Sequence, residues 1–134
     1  MRPRPPVRRA DLIEPELSYQ VVGTVLDVFH GLGPGLREST YQKAIAKELT
    51  IRGLMFNEQV YCPIVYKGEC VGLRYLDFCI AGRIIVELKC GEYFSRANIQ
   101  QVKEYLEITK LSLAIIANIT QGGVKFRRIV NLPK

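Results

Sequence analysis

Two apolar segments flank Ala81-Gly82, and both carry charged residues at positions where a strand would be buried. A tight turn at Ala81-Gly82 would join them as a β-hairpin. The first arm carries Asp77, and the second carries Glu87 and Lys89. Burying three charges among apolar strands is costly unless something pairs them, so the hairpin predicts a site for a metal ion or a phosphate.

The turn also predicts how these charges face each other. A hairpin centred at Ala81-Gly82 places Asp77 and Glu87 within the roughly 5 Å that separates cross-strand Cβ atoms. Because side chains alternate along a strand, Lys89 shares a face with Glu87. The same alternation predicts a common core face for the apolar residues of the first arm, which are Leu76, Phe78 and Ile80.

Two carboxylates a few Å apart repel each other unless a cation lies between them. Their oxygens suit Mg²⁺ or Mn²⁺, which bind one or two carboxylates together with waters and substrate phosphate oxygens. On the same face, Lys89 could act on the attacking water or on the phosphate. The triplet therefore predicts phosphodiester hydrolysis, with a cross-strand ion cluster at a sheet edge as the structural alternative.

The order of these motifs resembles a known group of nucleases. Asp77 followed by the segment Glu87 to Lys89 resembles the D…(D/E)xK signature of the restriction-endonuclease-like, or PD-(D/E)xK, superfamily. Gly35 to Tyr41 matches the GxxExxY signature of a small prokaryotic family placed in that superfamily. A Q-x-x-x-Y-L segment at Gln101 to Leu106 and the ending at Gly123 to Asn131 extend the resemblance over nearly the whole chain.

The resemblance implies a metal-dependent nuclease. Glu38, Asp77 and Glu87 would be its acidic metal-site residues, and Lys89 its catalytic lysine. We expect the Leu88 carbonyl oxygen to be a further metal ligand. For Glu38 alone, an acid favoured at a helix N-terminus by the helix dipole is the structural alternative.

Three further residues are expected to support this site. Gln101 and Tyr105 lie one turn apart on the helix that follows the hairpin, so both could reach one ligand; an ordinary half-exposed helix pair is the alternative. Tyr41 belongs to the GxxExxY motif.

Tyr75 stands where an Arg is common in similar sequences, and Asn98 stands where a His is common. Both differences affect the expected handling of substrate.

Hydrophobic periodicity and turn residues predict the order ααβββαββ. This is an α/β (α+β) fold with a mixed central sheet flanked by helices, as in a restriction-endonuclease-like core. The predicted helices are residues 16–30, Arg37 to Arg52 and Ser95 to Thr109. The predicted strands are Phe56 to Tyr66, Cys70 to Ile80, Arg83 to Cys90, Leu113 to Ile119 and Val124 to Val130, the last following a turn at Gly122-Gly123.

The formal net charge of +6 favours nucleic acid as a partner, and we expect DNA in preference to RNA. Arg2, Arg4, Arg8 and Arg9 supply +4 of this charge with no acid among residues 1–9, so the body from residue 10 onward carries only 6 − 4 = +2. We expect the Pro- and Arg-rich segment, residues 1–14, to be a flexible tail before a single domain, residues 15–134. The expected phosphate contacts are Arg37, Lys89, Arg96 and Lys103. A homodimer is expected if both strands of a duplex are cut, and a non-catalytic module that binds nucleic acid or a protein is the alternative function.

Other classes of protein lack their signatures here. No apolar run is long enough for a membrane span and no secretion leader is evident, so we expect a cytoplasmic protein. His30 is the only histidine, which leaves no Ser-His-Asp or Cys-His set, and a structural role at a helix end is favoured for it. The four cysteines, Cys62, Cys70, Cys79 and Cys90, contain no CxxC pair and are expected in the core, with an iron–sulfur cluster as the alternative.

Overall fold

In the part of the chain that the computed structural model describes, residues 13–91 and 96–132, eight elements follow one another in the predicted order. The helices are α1 (Pro15–Leu32), α2 (Glu38–Ile51) and α3 (Arg96–Thr109). The strands are β1 (Phe56–Tyr66), β2 (Glu69–Ile80), β3 (Ile84–Cys90), β4 (Leu113–Thr120) and β5 (Gly123–Val130). The predicted cap of α3, Ser95, and most of the predicted tail lie outside the described residues.

The five strands form one mixed sheet in the order β1-β2-β3-β4-β5. Strands β3 and β4 are parallel, and every other neighbouring pair is antiparallel. Helix α3 makes the connection that a parallel pair requires. All residues of β4 are buried, as its continuous apolar sequence predicts for a central strand covered on both faces.

Two hydrophobic cores lie on opposite faces of this sheet. One joins α1 and α2 to the sheet through Val21, Val25, Ile45 and Leu49, which follow the helical spacing of an amphipathic helix. The other joins α3 to the sheet through Val102 and Leu106. The predicted flanking of a mixed sheet by helices is therefore confirmed. No helix among the described residues is long and apolar enough to cross a bilayer.

The turn between β2 and β3 has the backbone that a tight hairpin needs. Ala81 has φ 54° and Gly82 φ 66°, the left-handed values of a turn that matches strand twist. Arg83 belongs to the turn rather than to the strand, since its N–H donates to the Ile80 carbonyl at 3.0 Å. The first strand pair after the turn is then Ile80 opposite Ile84.

The predicted face of Leu76 is wrong. Phe78 and Ile80 pack in the α1/α2 core, whereas Leu76 packs in the α3 core. Strict alternation would put all three on one side of the sheet. The alternation is broken at Gln59 in β1, whose φ of 52° interrupts the extended backbone between the pairs Glu58–Phe78 and Val60–Leu76. The outer half of the β1–β2 hairpin is therefore turned over relative to the inner half.

The turn before β5 also differs by one residue from the prediction. Gln121 and Gly122 form it, and Gly123 already pairs with Thr120. The Thr120 hydroxyl closes this turn, because it donates to the Gly123 carbonyl at 2.9 Å and accepts from the Gly122 N–H at 3.2 Å. At the other end of the chain, Ile13 is buried in the α1/α2 core, so the packed body begins two residues before Pro15.

Candidate active site

Strands β2 and β3 separate where the two acidic residues stand. Their last paired residues on this side are Phe78 and Val86, and beyond them two side chains replace the backbone ladder. The Asp77 N–H donates to Glu87 Oε1 at 2.8 Å, and the Leu88 N–H donates to Asp77 Oδ2 at 2.7 Å. Each carboxylate is thus fixed by the other strand through one oxygen.

Burial makes Glu87 an unusual acid. The residue is 8% exposed, and this burial is the largest cause of a pKa raised from 4.5 to about 8, followed by the charge of Asp77. The Asp77 N–H and the Lys89 cation act in the opposite direction. At neutral pH the site therefore resists carrying both negative charges, which is the condition that a divalent cation relieves.

Lys89 extends the same face of β3. Leu88 packs in the α1/α2 core, so Glu87 and Lys89 on either side of it point to the α3 face. The Lys89 ammonium lies 3.9 Å from Glu87 Oε2 and its side chain is half-buried. An amine thus stands beside the carboxylate oxygen that the Asp77 backbone leaves unused.

Glu38 approaches this group from the first residue of α2, the helix that lies against β3. The residue is exposed, and partial burial of its carboxyl raises the pKa above 4.5. Lys89 lowers that pKa and Asp77 raises it, so both act on Glu38 electrostatically. The structure thereby gathers Glu38, Asp77, Glu87 and Lys89 in one region.

Tyr41 explains why a tyrosine follows the glutamate by three residues. Its side chain is 0% exposed, and its hydroxyl donates to the Gly33 carbonyl at 2.6 Å and accepts from the Leu36 N–H at 3.2 Å. Gly35 has φ 90°, a value that glycine adopts without strain. Tyr41 therefore fixes the glycine loop that leads to Glu38, and it acts on the loop rather than on the carboxylates.

The α3 residues are less closely connected to the acidic group. Gln101 is half-buried and forms no side-chain hydrogen bond within the described ranges. Tyr105 packs in the α3 core, where burial raises its pKa first, and the neighbouring thiols Cys79 and Cys62 raise it further. The structure does not join Gln101 or Tyr105 to the carboxylates by a hydrogen bond.

Three of the four expected phosphate contacts are exposed arginines or lysines. Arg37 is the N-cap residue of α2, next to Glu38, and Arg96 begins α3; both are exposed, as is Lys103. Two more exposed cations, Lys125 and Arg127, stand on β5, the neighbour of β4.

One polar residue of this face was missed by the sequence reasoning. Asn118 interrupts the apolar strand β4, is 2% exposed and is the Cα partner of Lys89. Its side-chain oxygen is buried and accepts no hydrogen bond from any described residue. The sequence does indicate this residue, because Asn118 is the single amide in the buried strand Leu113–Thr120 and a buried polar side chain requires a partner.

A divalent cation fits the donors that are present, although no three His, Cys, Asp or Glu side chains of the described residues converge into a ready metal cluster. Mg²⁺ is usually held by one or two carboxylates, with waters and substrate phosphates completing its shell. Asp77 and Glu87 supply two carboxylates, each with one oxygen not engaged by the backbone bonds between the strands. The raised pKa of Glu87 shows that a second negative charge is unfavourable at this position, and a bound cation would offset it.

Cysteine and histidine contribute little to this arrangement. Cys62 and Cys79 are buried as predicted, whereas Cys70 and Cys90 are exposed, so the expectation of four core cysteines is wrong for these two. All four are free thiols, and His30 is an exposed residue of the last turn of α1.

Comparison with known proteins identifies the family of this chain. A family model described as PD-(D/E)XK nuclease superfamily matches residues 15–129. None of the curated proteins matches. A solved structure described as "Crystal structure of SSO0001" is 12% identical, with 88% of this chain and 78% of that chain covered and a TM-score of 0.44. The family model spans most of the chain and contains the Asp77, Glu87 and Lys89 positions, and the chain belongs to the PD-(D/E)XK nuclease superfamily.

Proposed function

We propose that this protein is a Mg²⁺- or Mn²⁺-dependent nuclease that hydrolyses phosphodiester bonds of nucleic acid. The observation that carries the proposal is the reciprocal pair Asp77 and Glu87, each bonded to the other's strand, with the Lys89 ammonium 3.9 Å from Glu87. A purely structural ion cluster would keep both carboxylates paired with cations. Here Lys89 is the one described cation paired with the two carboxylates, and the pKa of Glu87 is still raised to about 8 by burial and by its acidic neighbour.

Each residue of the site has its own role in the proposed reaction. Asp77 and Glu87 would hold the cation, with the Leu88 carbonyl oxygen as a further ligand and Glu38 beside them. When bound, the cation lowers the pKa of a water molecule and polarises the scissile phosphate. Lys89 donates hydrogen bonds from Nζ to the attacking water or to a phosphate oxygen, and its charge opposes the negative charge that grows in the transition state.

DNA is the proposed substrate. Exposed cations stand on three elements of the fold: Arg37 at the start of α2, Arg96 and Lys103 on α3, and Lys125 and Arg127 on β5. Phosphate contacts of this kind supply most of the affinity for nucleic acid and position the strand without reading its sequence. They support a nuclease of broad sequence tolerance.

A cleavage assay tests the proposal. Labelled single-stranded DNA, duplex DNA, a branched junction and RNA are incubated with Mg²⁺, Mn²⁺ or EDTA. We expect metal-dependent cutting that Glu87→Gln and Lys89→Ala each lower by at least about 10²-fold, as loss of a catalytic group does. Glu107→Gln, an exposed change on α3, is the control and should cut like wild type. Binding without cutting, unaffected by Glu87→Gln, would instead favour a non-catalytic module.

A further inference from the structure

Asn118 carries a polar oxygen that has no partner in the part of the chain that the structure describes. The residue is 2% exposed, and its Oδ1 is buried without a hydrogen bond from the described residues. An unpaired acceptor in a protein interior is costly, and such groups are rare in native structures. An apolar residue would satisfy the packing of β4 better, so the amide needs an explanation other than the fold.

The surroundings of Asn118 are cationic. Its Cα partners are Lys89 on β3 and Lys125 on β5. Ala117 and Ile119 pack in the α1/α2 core, so the Asn118 side chain between them points to the opposite face, which is that of Lys89 and Glu87. A buried acceptor thus stands in the strand next to the proposed catalytic lysine.

Lys89 has a competing acceptor on its own strand. Its ammonium lies 3.9 Å from Glu87 Oε2, a distance beyond ordinary hydrogen bonding. A divalent cation held by Glu87 would take over that oxygen and repel the ammonium. Lys89 Nζ then requires another acceptor. Asn118 is the residue of β4 paired with Lys89, so its side chain is a neighbour that Nζ can reach.

We propose that Asn118 is a positioning residue that accepts a hydrogen bond from Lys89 Nζ when a cation occupies Asp77 and Glu87. When the cation binds Glu87, the Lys89 ammonium loses that carboxylate as its partner. The Asn118 side-chain carbonyl then keeps the ammonium at the site by accepting its hydrogen bond. This inference rests on the proposed function, because it concerns the site with its cation bound. It assigns a role to the one amide of β4.

Two substitutions of equal shape test it. Asn118→Thr keeps an acceptor oxygen, whereas Asn118→Val replaces that oxygen with a methyl group, and both are β-branched residues that suit a strand. We expect the threonine variant to cut substrate within a few-fold of wild type. We expect the valine variant to cut about tenfold more slowly or worse, the factor that a hydrogen bond to a charged group supplies, with substrate binding unchanged.

Two readouts separate this role from a structural one. The valine variant should melt no lower than the threonine variant, because it buries no unpaired hydroxyl, so stability and activity follow opposite orders. Mn²⁺ affinity, measured without nucleic acid, should fall for valine and not for threonine. In a Lys89→Met background, Asn118→Val should have no further effect on Mn²⁺ affinity.

The outcomes distinguish the two proposals. If wild type binds Mn²⁺ and cuts, but the valine and threonine variants behave alike, or the loss with valine persists in the Lys89→Met background, the role of Asn118 is overturned alone. If wild type neither binds Mn²⁺ nor cuts any substrate, the proposed function fails and the inference falls with it.

Discussion

Among single residues, Glu87 makes the clearest prediction about pH. Its pKa is raised from 4.5 to about 8 in the fold, mainly by burial and then by Asp77. Between pH 4.5 and about 8, Glu87 binds a proton in the folded protein and releases it in the unfolded chain. The stabilisation that Glu87 contributes to the free energy of unfolding is therefore fully present below pH 4.5 and is lost as the pH rises to about 8. Glu87→Gln, which stays neutral, should remove this slope and unfold at higher urea than wild type at pH 8.

Urea denaturation from pH 5 to pH 9 measures this effect. Glu107→Gln is the matched control, since it makes the same chemical change at an exposed position. Its pH slope should equal that of wild type. An unchanged slope in Glu87→Gln would show that Glu87 is ionised in the fold at neutral pH.

Tyr41 gives a second prediction at this scale. Tyr41→Phe removes the donor to the Gly33 carbonyl and the acceptor of the Leu36 N–H without changing the ring. We expect the free energy of unfolding to fall by about 1 to 3 kcal/mol, the cost of leaving the partners of two part-buried hydrogen bonds unpaired. Tyr19→Phe, at a residue 77% exposed, should have no effect in the same denaturation experiment. Equal stability of both variants would contradict the loop-fixing role.

At the scale of elements, Gln59 controls the shape of the first hairpin. Its φ of 52° is costly for a residue with a Cβ and costless for glycine. Gln59→Gly should therefore keep the stability or raise it by up to about 1 kcal/mol. Gln59→Val should lower it by about 1 to 2 kcal/mol, because a β-branched residue tolerates positive φ least.

Thermal unfolding of these variants beside Asn57→Val checks the assignment. Asn57 is exposed on the same strand and has no positive φ, so valine there should be neutral. Equal effects of valine at positions 57 and 59 would mean that the bend is not fixed by Gln59.

The sequence predicted the elements well and their details unevenly. Strand β1 and the buried strand β4 follow from apolar runs bounded by turn residues, and so does the meeting of Asp77 with Glu87 across the Ala81 turn. The face of Leu76 could not be predicted, because a positive φ at a glutamine leaves no compositional trace. The place of Asn118 beside the site was also not predicted, because its environment depends on which strands become its neighbours.

At the scale of the whole molecule, the outer half of the β1–β2 hairpin has an apolar face that no described element covers. Its side chains are half-exposed and carry no charge: Tyr61, Val65, Val71, Leu73 and Tyr75. Exposed apolar surfaces of this kind mark association, and a standard interface takes about 800 Å² from each partner. We expect a second copy of the chain to cover it, since a two-fold interface joins the same patch on both subunits and supplies two sites for two strands.

Sedimentation velocity over a range of concentrations tests this assembly. Wild type should shift toward a dimer with increasing concentration, and Tyr75→Lys should remain monomeric because it places a charge in the apolar face. Tyr19→Lys, an exposed change on α1, should dimerise like wild type. A wild type that stays monomeric throughout would refute the homodimer.

The account depends most on the claim that Asp77 and Glu87 hold a divalent cation, and a calorimetric titration with Mn²⁺ tests it most directly. The titration is made above pH 8, where Glu87 is ionised and available as a ligand. The account predicts saturable binding of a single Mn²⁺ per chain at millimolar or lower concentration, lost in Glu87→Gln and kept in Glu107→Gln. No saturable binding by wild type at millimolar Mn²⁺, or equal binding by Glu87→Gln, would contradict it.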